Sequence, residues 1–196
     1  MTRVQKIVDV DVPARNAYNF WTQFEQIPQF MDGIEEVRQL DPARLHWVAN
    51  VRGIRRERDA QIIEQVPDEL ISWQSVNMSA HEEHVEADHT GTVRFERLSP
   101  TRTRVTLDVT YRPHGMAEQL ADKLGLIEQR LTDDLARFAH LVQSGSEGLT
   151  GWRGEIRDGQ LIERPDEPVS SEGLTPAQYE QAAAPESPAL HLSAAS

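Results

Sequence analysis

The stretch from Val8 to Leu40, VDVDVPARNAYNFWTQFEQIPQFMDGIEEVRQL, constrains the fold more than any other, because it packs a strand, a short helix and a helix-to-strand turn into one opening. From Arg3 to Val12 the residues Val4, Val8, Val10 and Val12 fall on one face under period-two alternation, with Gln5, Asp9 and Asp11 on the other, so one face of this strand is buried. Pro13 sits where a first helical turn tolerates the loss of an amide hydrogen, and Ala14, Ala17, Tyr18, Trp21 and Phe24 follow at helical spacing. Pro28 ends or restarts that helix, since the residue before a proline is driven out of the helical region. Phe30 and Met31 then lead through Asp32-Gly33 into a new strand.

Between Glu35 and Tyr111 a series of turn signals marks off antiparallel strands. Glu35 to Leu40 and Leu45 to Gly53 flank Asp41-Pro42-Ala43; Ile54 to Val66 and Leu70 to Val76 flank Pro67-Asp68; Thr92 to Leu98 and Thr103 to Tyr111 flank Ser99 to Arg102. Ile71, Trp73 and Ser75 share a face, as do Val93 with Phe95, and Val105, Leu107, Val109 and Tyr111, the alternation of a sheet with one wet side. From Pro113 to about Gln143 the period changes, and Leu120, Leu124, Ile127, Leu131, Leu135, Phe138 and Leu141 or Val142 form the stripe of one long amphipathic helix.

The composition shifts again near Ser144. Residues 1–144 read as one domain and 145–196 as an acidic, mostly disordered extension, in which acids outnumber arginines nine to three without an apolar period. Trp152 to Glu163 is the exception, because Arg157-Asp158-Gly159 lies between apolar pairs and could turn a small hairpin. The chain of 196 residues has no cysteine, so a disulfide framework, a thiolate metal site and a cysteine nucleophile are excluded. A formal charge of −12 without a basic stripe argues against nucleic acid and against an anionic membrane surface as partners. Arg3 and Lys6 are not followed by an apolar core segment, and no run approaches the ~20 apolar residues of a membrane span. The expectation is a soluble, cytoplasmic chain, whose tail could dock a protein partner.

Strand, two short helices, about six antiparallel strands and a long C-terminal helix resemble the START-like, helix-grip superfamily. The segments AYNFWTQFEQIPQFMDGIEEVRQL, RLHWVANVRG, RRERDAQIIEQVPDELISWQS, GTVRFERL and TRVTLDVTYRP resemble more narrowly its bacterial polyketide cyclase/dehydrase group, over roughly residues 3 to 143. The resemblance implies an α+β fold in which a curved antiparallel sheet of about seven strands wraps the long helix and leaves an open cavity. It implies a hydrophobic partner, such as an aromatic polyketide, a quinone or a lipid, and no cofactor. By the same resemblance the ligand wall would comprise Trp21, Phe24, Phe30, Met31, Trp47, Trp73, Phe95, Tyr111, Leu120, Leu124 and Ile127, an aromatic lining suited to stacking.

Cyclases of this superfamily orient a polyketone and move protons with a small cavity set of Arg, Tyr, Ser, Glu or Asn, and an approximate alignment finds no matching Tyr and Arg near Asp32 to Glu35 or Ile62 to Glu64. Candidate substitutes are Arg58, whose parity with Ala60 and Ile62 aims it inward, and Tyr111 with His114 at the cavity mouth. An inward guanidinium could hold a carboxylate or enolate. Asn50 and Ser75 are secondary polar candidates. The segment Met78 to Thr90 carries His81, His84 and His89 among Glu82, Glu83, Glu86 and Asp88, donors a divalent cation could use, but it lies between strands where a polar loop is usual. No metal is assigned.

Overall fold

The computed structural model describes residues 2–51, 53–76, 89–111, 120–145 and 149–162, without the side chains of residues 51, 111 and 120–124. Strand β1 (Thr2–Val10) leads into helix α1 (Ala14–Trp21) and a 3-10 helix (Phe24–Gln29), followed by β2 (Ile34–Asp41), β3 (Arg44–Val51), β4 (Ile54–Val66) and β5 (Leu70–Val76). Then come β6 (His89–Ser99), β7 (Arg102–Tyr111), helix α2 (Leu120–Gly145) and the short strands β8 (Glu155–Arg157) and β9 (Gln160–Ile162). The main path of the sheet runs β1-β7-β6-β5-β4-β3-β2, antiparallel throughout, with β8 and β9 added to β4, which makes nine strands among the described residues. This is the α+β helix-grip fold.

The sequence explains the joints. Pro13 precedes α1, and its carbonyl accepts from the amide of Ala17 at 3.1 Å, the first bond of the helix. Gly33 adopts φ +77° where the chain swings into β2, and its carbonyl accepts from Asn50 N at 2.7 Å. A side chain there would be strained by the dihedral and would meet the Asn50 carbonyl at 3.1 Å.

The long helix grips with its C-terminal half. Leu135, Phe138, Ala139 and Val142 are buried, with Leu131 and Leu141 packed beside them, whereas Leu126 is 61% exposed. Polar contacts clamp α2 to the turn before β2: the Asp134 carboxylate accepts from Asp32 N at 3.0 Å and pairs with Arg137, whose Nε donates to the Phe30 carbonyl at 3.1 Å. Arg130 adds an ion pair to Asp32 at 3.3 Å. Burial holds the Asp134 carboxyl above its ordinary range despite these donors.

Residues 149–162 pack on this domain. β3 pairs with β4 only as far as Arg44–Gln61, so the last residues of the longer β4 present an open edge. β8 fills it: Ile156 pairs with Gln65, and Gly159 N donates to the Ile63 carbonyl at 3.0 Å. Ile156 is fully buried in the main core. The hairpin turns at Asp158 (φ 50°) and Gly159 (φ 73°), the left-handed pair that a two-residue loop between twisted strands demands.

Candidate functional site

An apolar pocket lies between the short helices and the middle of the sheet. Trp21 of α1, Phe24 and Ile27 of the 3-10 helix and Met31 form one wall; Leu45 and Trp47 of β3, Ile62 of β4, and Ile71 and Trp73 of β5 form the other. The strand residues face inward because pairing puts them in two cross-strand rows, Leu45 opposite Ala60 and Ile62 opposite Trp73. Six of the nine are buried; Met31, Trp47 and Trp73 are only partly so and mark the side where the pocket meets solvent.

The walls touch. The enclosed space is about 10 Å³, room for roughly one water, where drug-sized ligands occupy ~300 Å³ or more. Among the described residues the open cavity expected from a bent sheet is therefore nearly filled, and the large indoles that would stack on a ligand take up its space. Trp73 lies against the sheet over Gly91, its cross-strand partner, so closely that a Cβ on residue 91 would stand 2.2 Å from the ring. Trp47 Nε1 is sealed from solvent and has no hydrogen-bond partner among the described residues. An orphaned buried donor costs about 1–3 kcal/mol.

The other proposed wall residues lie elsewhere or outside the described residues. Phe30 and Phe95 belong to the core behind the pocket, where Phe30 meets Trp21 at 5.4 Å and Phe138 at 5.4 Å, and Phe95 meets Tyr18 edge-on at 5.7 Å. Ile127 is half-buried on α2 and is not part of the lining. The side chains of Tyr111, Leu120 and Leu124, and all of His114, fall outside the described residues. Ile27, Leu45, Ile62 and Ile71 complete the lining without having been expected there, although the parity of Ile62 with Ala60 and of Ile71 with Trp73 is a usable signal.

Among the polar candidates, Arg58 stands directly opposite Trp47 in the row of Ala60 and Ile62 and is half-buried. Asn50 is committed to the β3–β4 turn, its Nδ2 donating to Glu35 at 3.0 Å and its Oδ1 accepting from Gly53 N at 2.9 Å. Ser75 Oγ accepts from His89 N at 3.1 Å, which joins β5 to β6. His81, His84 and the acids from Glu82 to Asp88 lie outside the described residues, and the described ones hold no cluster suited to a metal ion.

A buried polar network lies beneath the C-terminal segment. Gln65 Nε2 donates to Tyr18 OH at 2.8 Å, and that hydroxyl donates to the Trp152 carbonyl at 3.3 Å. Asn19 Nδ2 donates to the Leu149 carbonyl at 2.8 Å. Arg153 forks onto Asp68 at 2.8 and 2.7 Å while its guanidinium stacks 5.5 Å from the Tyr18 ring. Burial pushes the Tyr18 phenol above its ordinary value, so it stays protonated and works as a structural hydrogen bond.

The fold recurs in solved structures. The Zhui aromatase/cyclase from a Streptomyces species superposes with a TM-score of 0.59 at 15% identity, covering 76% of this chain and 98% of that one. A START superfamily protein from Mycobacterium smegmatis superposes with a TM-score of 0.53 at 16% identity, covering 76% and 99%. At such identities the likeness shows the fold alone. Closer in sequence is an uncharacterized 17.2 kDa protein from the melC2-rnhH intergenic region of Streptomyces lincolnensis, 38% identical over 156 residues, 80% of this chain and 99% of the relative. Residues 10–139, which span both walls of the pocket and α2 as far as Ala139, match the family described as polyketide cyclase / dehydrase and lipid transport, and the chain belongs to that START-like family.

Proposed function

We propose that this protein binds a flat, hydrophobic small molecule in the pocket between its short helices and strands β3 to β5. The observation that carries the reading is the lining: among the described residues it comprises nine apolar side chains, three of them tryptophans, and no ionisable group. Such a surface gains from excluding water and from stacking, and it supplies neither a base nor an acid. Because the pocket is nearly filled, a ligand must displace rim residues such as Met31 and Trp73, which are only partly buried. Neither a nucleic acid nor an anionic surface is a plausible partner for a chain of charge −12, and a cytoplasmic location accords with this reading.

The test is a titration of tryptophan emission with quinones, flavonoids and fatty acids, alongside native mass spectrometry of the freshly purified chain. A shifted emission with a matching bound mass supports the proposal; unchanged emission with no bound mass across the set refutes it.

The register of Arg58 favours a second reading, cyclisation and dehydration of a polyketone. Opposite Trp47 in the β3–β4 register, an inward guanidinium would stabilise the enolate that attacks in an aldol closure. Under this reading Arg58→Met lowers turnover by ~10² or more, the scale of one lost oxyanion donor, while affinity for a neutral ligand is retained.

A further inference from the structure

We infer that Trp47 selects the ligand, and that the class it selects is a flat apolar molecule carrying a carbonyl or similar neutral acceptor oxygen, rather than a pure hydrocarbon. The inference deepens the binding reading above and rests on it. Its basis is an unsatisfied group in an otherwise dry wall. The Trp47 indole lines the pocket, and its Nε1–H is sealed from solvent without an acceptor among the described residues. Buried donors in folded proteins nearly always have partners, so one that lacks a partner at a cavity wall calls for a reason. Water does not supply it. The space of about 10 Å³ admits at most one water, and a buried water is held by two to four polar groups, which this apolar lining does not provide. Nor do the neighbouring strands supply it, because the residues opposite Trp47 are Val37 on β2 and Arg58 on β4, and neither side chain carries an acceptor.

A ligand oxygen would complete the site. On an apolar wall without a donor, a ketone binds more weakly than the hydrocarbon of the same shape, because its carbonyl sheds water and receives nothing in return. With a waiting N–H the order reverses. The sign of the difference between two matched ligands therefore reports whether Trp47 contributes.

9-Fluorenone and fluorene form such a pair, being planar tricycles that differ at one carbon. Calorimetric titration of the full chain is expected to show fluorenone binding about three- to tenfold more tightly, the range of one net hydrogen bond. Trp47→Phe is expected to erase that preference, bringing the ratio of the fluorenone to the fluorene affinity to one or below, whatever the change in the absolute affinities. As a readout that needs no variant, the Trp47 indole N–H resonance in a 15N correlation spectrum should move downfield with fluorenone and not with fluorene. Equal affinities in the unmodified chain, a preference that survives Trp47→Phe, or an indole resonance that responds alike to both would overturn the assignment while the binding reading stands. If neither compound binds, this inference fails, while the binding reading is decided by the wider set of quinones, flavonoids and fatty acids.

Discussion

Replacing Ile156 with alanine tests whether the C-terminal segment is part of the domain. Ile156 has no exposed surface and sits in the main core, although it is contributed by a strand of only three residues. Deleting a buried isoleucine down to alanine costs about 2–5 kcal/mol when the surroundings cannot collapse. A short strand can instead detach, and its own docking energy would then cap the loss. That docking energy is not small here, because the same segment supplies the fork from Arg153 to Asp68 and accepts hydrogen bonds from Asn19, Gln23 and Tyr18. Releasing it would also leave Gln65 and Tyr18 with a broken buried network. A loss of about 2–3 kcal/mol is therefore expected, which for ~150 folded residues lowers the melting temperature by roughly 4–12 °C. Leu161→Ala, at a residue 37% exposed in the same hairpin, is the control and should melt within about a degree of the parent. Circular dichroism melts decide it. If Ile156→Ala and a chain ending at Ser144 both melt like the parent, the segment is an ornament and the reasoning from burial is wrong.

Gly91→Ala should destabilise the domain by about 1–3 kcal/mol and shift tryptophan emission, because the new methyl would stand 2.2 Å from the Trp73 ring and push it off the sheet; an unchanged spectrum would refute that placement. Asp108 accepts from Arg3 at 2.7 Å and Gln5 at 3.0 Å, contacts that hold its pKa below the ordinary 3.8. A lowered pKa gives stability that is present above 3.8 and lost as the pH falls toward the folded value, so Asp108→Asn should lower stability at pH 7 and flatten its decline in acid, which denaturant melts from pH 7 to pH 2 would measure. Asp134 has the opposite sign, its raised pKa favouring the fold when protonated and losing that contribution as the pH rises; Asp134→Asn should keep the contact to Asp32 N and cost less near neutrality than Arg137→Ala, which strands a buried carboxylate.

The strands and the gripping helix were legible because each obeys one period for long enough to be read. Val93 and Phe95, Val105 and Leu107, and Leu135, Phe138 and Val142 are buried where alternation or the helical stripe puts them. The period misleads where the sheet is irregular. In β4 a register shift between Ile62 and Glu64 moves the inward side by one residue, so that Gln65, not Glu64, faces the core opposite Ile71. Nothing in IIEQV announces that bulge, and with it the polar network around Tyr18 was invisible. Strand β8 is too short to show any period, yet a signal existed: a thirteen-residue β4 beside an eight-residue β3 leaves an edge that some other segment must cover.

The candidate site was legible as composition and not as space. Trp21, Phe24, Met31, Trp47 and Trp73 do converge on one pocket, but whether large side chains line a hollow or fill it depends on distances that no alternation encodes. The clamps decide how it can open. One end of α1 is tied to β4 through Tyr18, Gln65 and the C-terminal segment, and the turn after the 3-10 helix is tied to α2 through Asp134, Arg137 and Arg130. With the backbone of that wall held at both ends, moving a helix would break several polar contacts at once, whereas turning Met31 and Trp73 outward breaks none of them. Room for a ligand is therefore expected to come from side-chain rotation at the rim, which makes Trp73 on its glycine and Trp47 with its unsatisfied N–H the two residues whose replacement should alter binding without loosening the fold elsewhere.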